Sequence, residues 1–209
     1  MSTRRYDSSR RQQAAARTRA DILDAGRELF VSRGYAATTM NDVAVHAGVA
    51  PATAAAAFGG KAGLLKRLVD VGIAGDDEDV PVSEREIAQQ VAATPDAARQ
   101  CEMLAAFVTE VQERLAPLHD VLMQASGIDD EVRQEVAREQ ERRRAGMAEF
   151  TALIDVGSLK RELDADRAAD VAWALTEPRL YVGLVRERGW TNDQYRQWLS
   201  AQLVAGLLR

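Results

Sequence analysis

Apolar side chains recur at spacings of three and four residues in one segment of this sequence after another, and nowhere do they alternate with polar residues as in a strand. The chain has 37 alanines among its 209 residues, whereas aromatic residues make up only 5%. Alanine has the highest helix propensity, and aromatic and β-branched residues favour strands. These features predict an all-α fold of nine or ten helices, arranged in one or two domains.

Several classes of protein lack their usual signals in this sequence. No run approaches the roughly 20 apolar residues of a membrane span, and no apolar signal core follows the N-terminal arginines, so we expect a cytoplasmic protein without a membrane partner. One cysteine, Cys101, and two histidines are too few for a disulfide or a structural zinc site. No nucleophile motif is present, so we expect no catalytic, cofactor or metal site.

Charge is distributed unevenly along the chain. Residues 1–75 contain 11 basic and 6 acidic side chains, whereas residues 76–209 contain 16 basic and 26 acidic ones. A basic end on an acidic chain is typical of a protein that turns this end towards a polyanion such as DNA. A solvated charged face is the other interpretation of the same pattern.

The N-terminal third has the proportions of a helix-turn-helix domain. Its first helix is predicted over 18–33 and ends at Gly34, where a glycine can take a positive φ. Two short helices follow over 40–46 and 51–58, joined by a turn that contains Gly48, and a fourth runs over 61–73. Residues 18–75 are therefore predicted to form the DNA-binding domain. Residues 1–17 are expected to be a basic flexible arm that reaches DNA through its arginines or acts only as a solubilising tail.

The rest of the chain is predicted to form a helical bundle. The acidic, proline-containing segment 76–82 is expected to be a linker, and 83–209 the second domain. Helices are predicted over 84–93 and 94–116, with a further segment over 118–126. The next helix is capped by Asp129 and ends near 154, another begins at Asp164 or Asp166 and ends at 188, and the last spans 194–208. Pro117 is expected to break or kink one of these helices, and Pro178 to interrupt another.

Residues 22–65 resemble the DNA-binding domain of the TetR family of transcriptional regulators. The residues that carry the resemblance are Ile22-Leu23-Asp24-Ala25, Leu29-Phe30, Arg33-Gly34-Tyr35, Thr38-Thr39-Met40, Asp42-Val43-Ala44, Ala47-Gly48-Val49, Thr53, Phe58, Lys61 and Leu64-Leu65. The later stretch TEPRLYVGLVRERGW is also similar to the C-terminal helices of some of these regulators. The resemblance implies a homodimer with a small-molecule pocket in the C-terminal domain and an interface built from the last two long helices.

Candidate DNA contacts follow from this resemblance. Hydroxyls and cations at helix N-termini are suited to phosphates, although a threonine there can also serve only as a helix cap. The family's phosphate-binding lysine corresponds to Lys61, and Ala55 stands where the family usually has a phosphate-contacting tyrosine. The predicted DNA-contacting residues are Thr38, Thr39, Met40, Ala50, Pro51, Ala52, Thr53, Ala55, Ala56 and Lys61.

The helix predicted over 51–58 is the second of the helix-turn-helix and therefore the recognition helix, which enters the DNA major groove. It departs from the family's pattern because it is almost entirely alanine. Of its residues, Thr53 alone can form a side-chain hydrogen bond, so bidentate pairs with guanine or adenine are excluded. Contacts from alanine methyl groups to thymine and readout of DNA shape are left. The sequence therefore predicts weak or relaxed sequence specificity, or base contacts outside this helix.

Large apolar side chains in the second domain suggest an effector pocket and a dimer interface. Plain core packing is the alternative for each pocket residue. The pocket set is Met103, Phe107, Leu122, Met123, Phe150 and Trp173. The dimer set is Leu180, Leu184, Tyr195, Trp198, Leu199 and Leu203.

Together these features indicate a dimeric, ligand-responsive transcriptional regulator. Its expected partners are a double-stranded DNA operator, a second copy of the chain and a small apolar or aromatic effector. We expect a repressor that this effector releases from a palindromic operator. The alternative is a ligand-binding homodimer of the same fold with weakened or lost operator recognition. An all-α enzyme has no motif in its favour.

Overall fold

The computed structural model describes residues 3–78 and 80–209, with side chains from Arg10 onward except those of residues 11 and 12. Within these residues there is no β-strand, and a single isolated β-bridge pairs Leu159 with Leu208. The prediction of an all-α fold is confirmed. The helices are α1 (Thr3–Arg33), α2 (Met40–His46), α3 (Pro51–Phe58), α4 (Lys61–Ala74), α5 (Glu86–Ala92), α6 (Ala97–Ile128), α7 (Asp130–Ala152), α8 (Ala165–Leu175), α9 (Pro178–Tyr181) and α10 (Asn192–Leu207).

Helix α1 begins at Thr3 and not at residue 18, so the predicted flexible arm is helical from residue 3 onward. The segment before residue 18 lacks an apolar stripe, but it is rich in Arg, Gln and Ala, which are strong helix formers, and contains neither Gly nor Pro. The correction is that intrinsic propensity, without a buried face, extends the helix. The side chains of Arg4, Arg5 and Arg11, which were candidates for a DNA-binding arm, lie outside the described residues.

The two prolines affect their helices differently. Helix α6 runs unbroken through Pro117, whose neighbours Ala116 and Leu118 are both buried. Of the two predicted outcomes, the break is wrong because packing of the flanking turns offsets the lost backbone hydrogen bond, and the kink stays a prediction. Pro178 does interrupt a helix as predicted, since it is the first residue of α9 after the end of α8 at Leu175. A π-helical segment, Val182–Glu187, continues α9.

The chain divides into two compact units. The first unit comprises the described residues of Met1–Asp70 together with Asp120–Glu135, and the second comprises those of Val71–His119 and Val136–Arg209. The predicted linker 76–82 lies within the second unit. The turn between α6 and α7, which the sequence placed in the second domain, belongs to the first unit.

The first unit has its own core. Gly26 of α1 allows a close approach to α4, because a Cβ at this position would lie 2.7 Å from Leu64 Cδ2. The buried apolar residues of this unit are Ile22, Leu23, Ala25, Leu29, Phe30, Tyr35, Val43, Ala44, Ala54, Leu64, Leu65, Leu68, Val69, Val121, Ala125 and Val132. Because α2 and α3 contribute Val43, Ala44 and Ala54 to this core, these two helices of the helix-turn-helix are fixed to α1.

The second unit is a helical bundle around one apolar cluster. The cluster draws on α6, α7, α8 and α10, and includes the buried thiol of Cys101. Burial raises the pKa of Cys101 to about 11, so the thiol is protonated at neutral pH. Across the described part of the chain, no helix combines the length and apolar character that crossing a membrane requires.

Candidate functional site

Local signals build the helix-turn-helix. Thr39 caps α2 in a capping box, in which its hydroxyl accepts from the Asp42 amide at 3.1 Å and its own amide donates to the Asp42 carboxylate at 2.9 Å. Gly48, with φ of +67°, provides the left-handed residue of the turn. Pro51 then opens α3 at its first position, where no amide is needed.

The outer face of α3 consists of the residues that the sequence predicted. Ala54 is fully buried and anchors α3 in the core of the first unit. Residues 50–53, 55 and 56 are exposed. The exposed members are Ala50, Pro51, Ala52, Thr53, Ala55 and Ala56, which we call the α3 face. It presents methyl groups, one proline ring and one hydroxyl.

Thr38 is a correction to the predicted DNA contacts. Its side chain is fully buried, and its hydroxyl donates to the carbonyl oxygen of Gly34 at 2.9 Å. A hydroxyl in this position is inaccessible to a phosphate, so Thr38 instead secures the turn between α1 and α2. Thr39 is exposed and Met40 is half-buried. The Thr39 hydroxyl also donates to the Asp42 carboxylate at 2.6 Å, so a phosphate there would compete with this bond.

Arg19 of α1 holds the C-terminal end of α3, a role that the sequence did not indicate. Its guanidinium donates to the carbonyl oxygen of Ala57 at 3.1 Å and lies 4.4 Å from the centre of the Phe58 ring. A cation at a helix C-terminus interacts favourably with the free carbonyls and the dipole. Arg19 is therefore a positioning residue for the α3 face.

Lys61, the predicted phosphate-binding lysine, belongs to a charged cluster with Tyr35 and Asp129. Its ammonium donates to the Tyr35 carbonyl oxygen at 3.0 Å and lies 4.1 Å from the centre of the Tyr35 ring. The Tyr35 hydroxyl donates to the Asp129 carboxylate at 2.6 Å. A lysine ammonium has three donors, so a phosphate contact by Lys61 is compatible with its bond to Tyr35.

Asp129 links this cluster to the start of α7. One of its carboxylate oxygens accepts hydrogen bonds from the amides of Glu131 and Val132, so Asp129 caps α7 as predicted. The other oxygen accepts the hydrogen bond from the Tyr35 hydroxyl. The Tyr35 hydrogen bond, supported by these amides and the charge of Lys61, lowers the pKa of Asp129. Burial, with the carboxylate beside it, raises the pKa of Tyr35.

We expect Tyr35→Phe to lower the free energy of unfolding by about 1 kcal/mol at pH 7, because Asp129 loses a hydrogen bond to its charged form. A carboxyl group whose pKa is lowered by folding stabilises the protein above its unfolded pKa, near 4, and loses this contribution as pH falls through the folded value. The difference between wild type and variant should therefore shrink below about pH 4. Urea unfolding between pH 3 and 7 measures it.

Asp129→Asn provides the control for this prediction. If the Tyr35 hydroxyl acts through the Asp129 carboxylate, the second substitution should make Tyr35→Phe nearly neutral at every pH. An undiminished effect of Tyr35→Phe in the Asp129→Asn background would contradict the pairing.

The first unit as a whole is less basic than the N-terminal sequence. Met1–Asp70 has 11 basic and 6 acidic side chains, whereas Asp120–Glu135 has one basic and five acidic ones. The net charge of the unit is therefore +1. Six of its arginines lie within residues 1–20, beside one acidic residue, so the positive charge is concentrated in the N-terminal half of α1.

The structure brings together four of the six predicted effector-pocket residues. Phe150 is buried in the apolar cluster of the second unit, and Met103, Phe107 and Trp173 pack against it. Leu122 and Met123 lie in the first unit, and the Met123 side chain is exposed. Neither belongs to the apolar cluster around Phe150, because α6 contributes to both units, and their place in the pocket stays a prediction.

Arg143 is the main polar feature of this cluster and was not predicted. It donates to the Glu177 carboxylate at 2.6 Å and the Trp173 carbonyl oxygen at 2.6 Å, and its guanidinium stacks 4.6 Å from the Trp173 ring centre. Burial lowers the pKa of Arg143 while the charge of Glu177 opposes this shift. Arg142, Arg143 and Arg144 are adjacent in the sequence, and periodicity did not single out the one that faces inward.

Three predicted dimer residues lie inside the chain's own core. Tyr195, Leu199 and Leu203 are fully buried in the second unit and therefore do not offer a face to a partner. This corrects the prediction for those positions: the apolar stripe of α10 packs against α8 and the rest of the cluster. Leu180, Leu184 and Trp198 are half-buried, and on α10 the outward positions Ala201 and Ala205 are exposed.

Comparison with known proteins supports the helix-turn-helix. Residues 22–68 match the family model described as bacterial regulatory proteins, tetR family. No curated protein matches the chain.

Solved structures of similar fold cover nearly the whole chain. NalD, the secondary repressor of the MexAB-OprM multidrug efflux pump in Pseudomonas aeruginosa, is 23% identical, with a TM-score of 0.68 over 94% of this chain and 98% of that one. SmeT in a triclosan complex is 18% identical, with a TM-score of 0.69 over 92% of each chain. A regulator from Saccharomonospora viridis in complex with choline is 19% identical, with a TM-score of 0.64 over 91% of this chain and 97% of that one. Residues 22–68, which contain the helix-turn-helix, are therefore similar to the bacterial regulatory proteins of the tetR family, and these solved structures share the fold of nearly the whole chain.

Proposed function

We propose that this protein is a DNA-binding transcriptional repressor that binds a palindromic operator as a homodimer and is released by a small apolar or aromatic molecule. The observation that carries the proposal is the exposed α3 face on a helix-turn-helix that buried Val43, Ala44 and Ala54 hold in the first unit. Two solved structures of similar fold add support: NalD is a repressor, and SmeT is bound to triclosan.

The α3 face would read DNA through methyl groups. Alanine side chains can contact the thymine 5-methyl group in the major groove, and Thr53 can reach a base edge or a phosphate. No bidentate pair is possible from this face, and each such pair contributes about 1–3 kcal/mol of discrimination. Sequence specificity would therefore be low, with thymine favoured at the positions that α3 contacts.

Affinity would come mainly from phosphate contacts. The candidates are Thr39, Lys61 and the arginines in the N-terminal half of α1. Such contacts release counterions, so binding weakens steeply as salt increases. The acidic residues of the α6–α7 turn oppose non-specific binding by the rest of the unit.

The effector would bind in the second unit, beside Met103, Phe107, Phe150 and Trp173. Helices α4, α6 and α7 each begin in one unit and end in the other. An effector that prefers one arrangement of α6 and α7 would thus favour one conformation of the α6–α7 turn, which includes Asp129. The shift in population cannot exceed the difference in its affinity for the two arrangements.

A homodimer would form through half-buried and exposed residues of the last helices. Leu180, Leu184 and Trp198 keep their place in the proposed interface, with Ala201 and Ala205 added on the outer side of α10. Two copies would then present their α3 helices about 34 to 36 Å apart, one turn of DNA, to the halves of a palindrome.

A mobility-shift titration with the DNA upstream of the gene tests the function, and Ala55→Tyr provides the sharpest comparison. We expect weak, salt-sensitive binding by the wild type and about tenfold tighter binding by the variant, because the tyrosine hydroxyl adds one phosphate contact per α3. Ala145→Tyr is the matched control, since it adds the same side chain at an exposed position of α7 in the second unit and should leave affinity unchanged.

The same titration decides between this function and a second one. The alanine-rich α3 face also favours a ligand-binding homodimer that has lost operator recognition. Absence of any protein–DNA complex in dilute buffer, for wild type and Ala55→Tyr alike, would reject the regulator and leave the ligand-binding protein. A monomer in sedimentation equilibrium would reject the dimer in both.

A further inference from the structure

The core of the second unit contains polar atoms that no described residue satisfies. They are Nε1 of Trp173, Oη of Tyr195 and Nε of Arg143, each buried from solvent. Buried polar groups in native proteins are nearly always hydrogen-bonded, so three in one apolar cluster call for a physical explanation. Tyr195 is the clearest case because its whole side chain is inaccessible.

Arg143 and Trp173 are in contact, and Tyr195 belongs to the apolar cluster against which Trp173 packs. Arg143 stacks on the Trp173 ring, with 4.6 Å between its Cζ atom and the ring centre. Glu177 accepts a hydrogen bond from Arg143 at 2.6 Å, and its charge also contributes to the raised pKa of Tyr195 after burial and Tyr181. Trp173 and Tyr195 lie on the adjacent helices α8 and α10.

The chemistry of these atoms limits what can satisfy them. The indole Nε1 and the guanidinium Nε can only donate hydrogen bonds, and a tyrosine hydroxyl can donate or accept. A partner for all three must therefore supply acceptor oxygens. Arg143 and Glu177 neutralise each other, so this neighbourhood favours an uncharged molecule over an ion.

The surroundings are aromatic and apolar. The Tyr181 and Tyr195 rings meet edge to face, with 5.0 Å between centres, and Trp198 lies 5.7 Å from Tyr195. Phe107 packs against the same cluster. Ring faces and edges of this kind suit a flat aromatic body.

We propose that the effector is an uncharged aromatic molecule bearing a carbonyl-type oxygen, which accepts hydrogen bonds from Trp173 Nε1 and Tyr195 Oη. The inference rests on the proposed function, because it names the class of molecule that binds at the proposed effector site in the second unit. Arg143 is a positioning residue that fixes the Trp173 ring and supplies a third donor at its edge.

Equilibrium dialysis with two naphthalenes of equal size tests the proposal. The full-length protein should bind 2-acetonaphthone, which carries a carbonyl group, about tenfold more tightly than 2-ethylnaphthalene, which does not. Tyr195→Phe and Trp173→Phe should each reduce this preference to about threefold or less. Tyr35→Phe is the matched control, because the Tyr35 hydroxyl lies in the first unit and already donates to Asp129 at 2.6 Å, and it should keep the full preference.

A stability measurement without ligand provides an independent readout. Tyr195→Phe removes an unsatisfied hydroxyl and should leave the Tm unchanged or raise it. Tyr181→Phe breaks the hydrogen bond that the Tyr181 hydroxyl donates to Asn192 at 2.7 Å, and it should lower the Tm by about 2 to 4 °C. A fall in Tm for Tyr195→Phe as large as that for Tyr181→Phe would overturn the assignment of its hydroxyl to a ligand.

The dialysis outcomes separate this inference from the proposed function. Equal binding of both naphthalenes by the wild type would reject recognition through a carbonyl oxygen and leave an apolar effector site in place. Binding of neither compound would reject both the effector site and its donors. Failure of DNA binding affects neither result, because no DNA is present in the dialysis.

Discussion

Gly63→Ala should lower the free energy of unfolding by about 3 kcal/mol or more and abolish DNA binding. Gly63 lies in the first turn of α4, and a Cβ built there would stand 1.9 Å from the carbonyl oxygen of Phe58, the last residue of α3. The obstacle is backbone and cannot rotate away. The end of α3 must therefore move relative to α4, and the α3 face moves with it.

Gly146→Ala is the control for this substitution. Gly146 lies within α7, and nothing stands within 4 Å of the position of its Cβ. Alanine there should raise the free energy of unfolding by about 0.5 to 1 kcal/mol, since it restricts the unfolded chain and favours the helix. Urea unfolding measures both variants, and equal stability of Gly63→Ala and the wild type would contradict the close approach of α4 to α3.

Arg143→Met should cost about 2 to 3 kcal/mol of unfolding free energy. The substitution leaves the Glu177 carboxylate without its Arg143 donor and removes one of two side-chain donors to the Trp173 carbonyl oxygen, the other being the Thr176 hydroxyl at 3.2 Å. Methionine has a similar length, so the loss reports on these polar contacts more than on volume. Because Glu177 is still one-third exposed, water screens part of the lost interaction.

The neighbouring Arg144→Met provides the matched control. Arg144 is more exposed and pairs with Asp170 and Asp166 at the surface, where water screens the charges, so its loss should cost much less unfolding free energy than that of Arg143. Adding Glu177→Met to Arg143→Met should restore part of the stability, because the carboxylate would no longer be left unpaired. Equal losses for Arg143→Met and Arg144→Met would show that the inward-facing pair has no special role.

Local signals were enough to predict the helix-turn-helix. Each helix end is marked by a property of a single residue. Positive φ marks Gly34, Gly48 and Gly59. A capping hydroxyl marks Thr39, and a missing amide marks Pro51. The bounds of α2 and α3 are therefore confirmed to the residue. The exposed members of the α3 face also agree with the prediction, because one buried position, Ala54, fixes which side of a short helix points outward.

Periodicity could not identify the partner of each apolar stripe. The stripe of Tyr195, Leu199 and Leu203 is as apolar as a dimer interface would be, and its burial within the chain depends on where α8 and the rest of the cluster lie. The same limit explains Leu122 and Met123, whose assignment depends on how far α6 extends before it joins the first unit.

The sequence by itself determined where the short helices of the N-terminal domain begin and end, because their capping and turn residues act within four positions of the chain. Only the tertiary structure decided that Thr38 is buried, that Tyr35 reaches Asp129, and that Arg143 faces inward. The pairings of Tyr35 with Asp129 and of Arg143 with Glu177 join residues separated by tens of positions. Their geometry follows from the packing of whole helices, which no local pattern encodes.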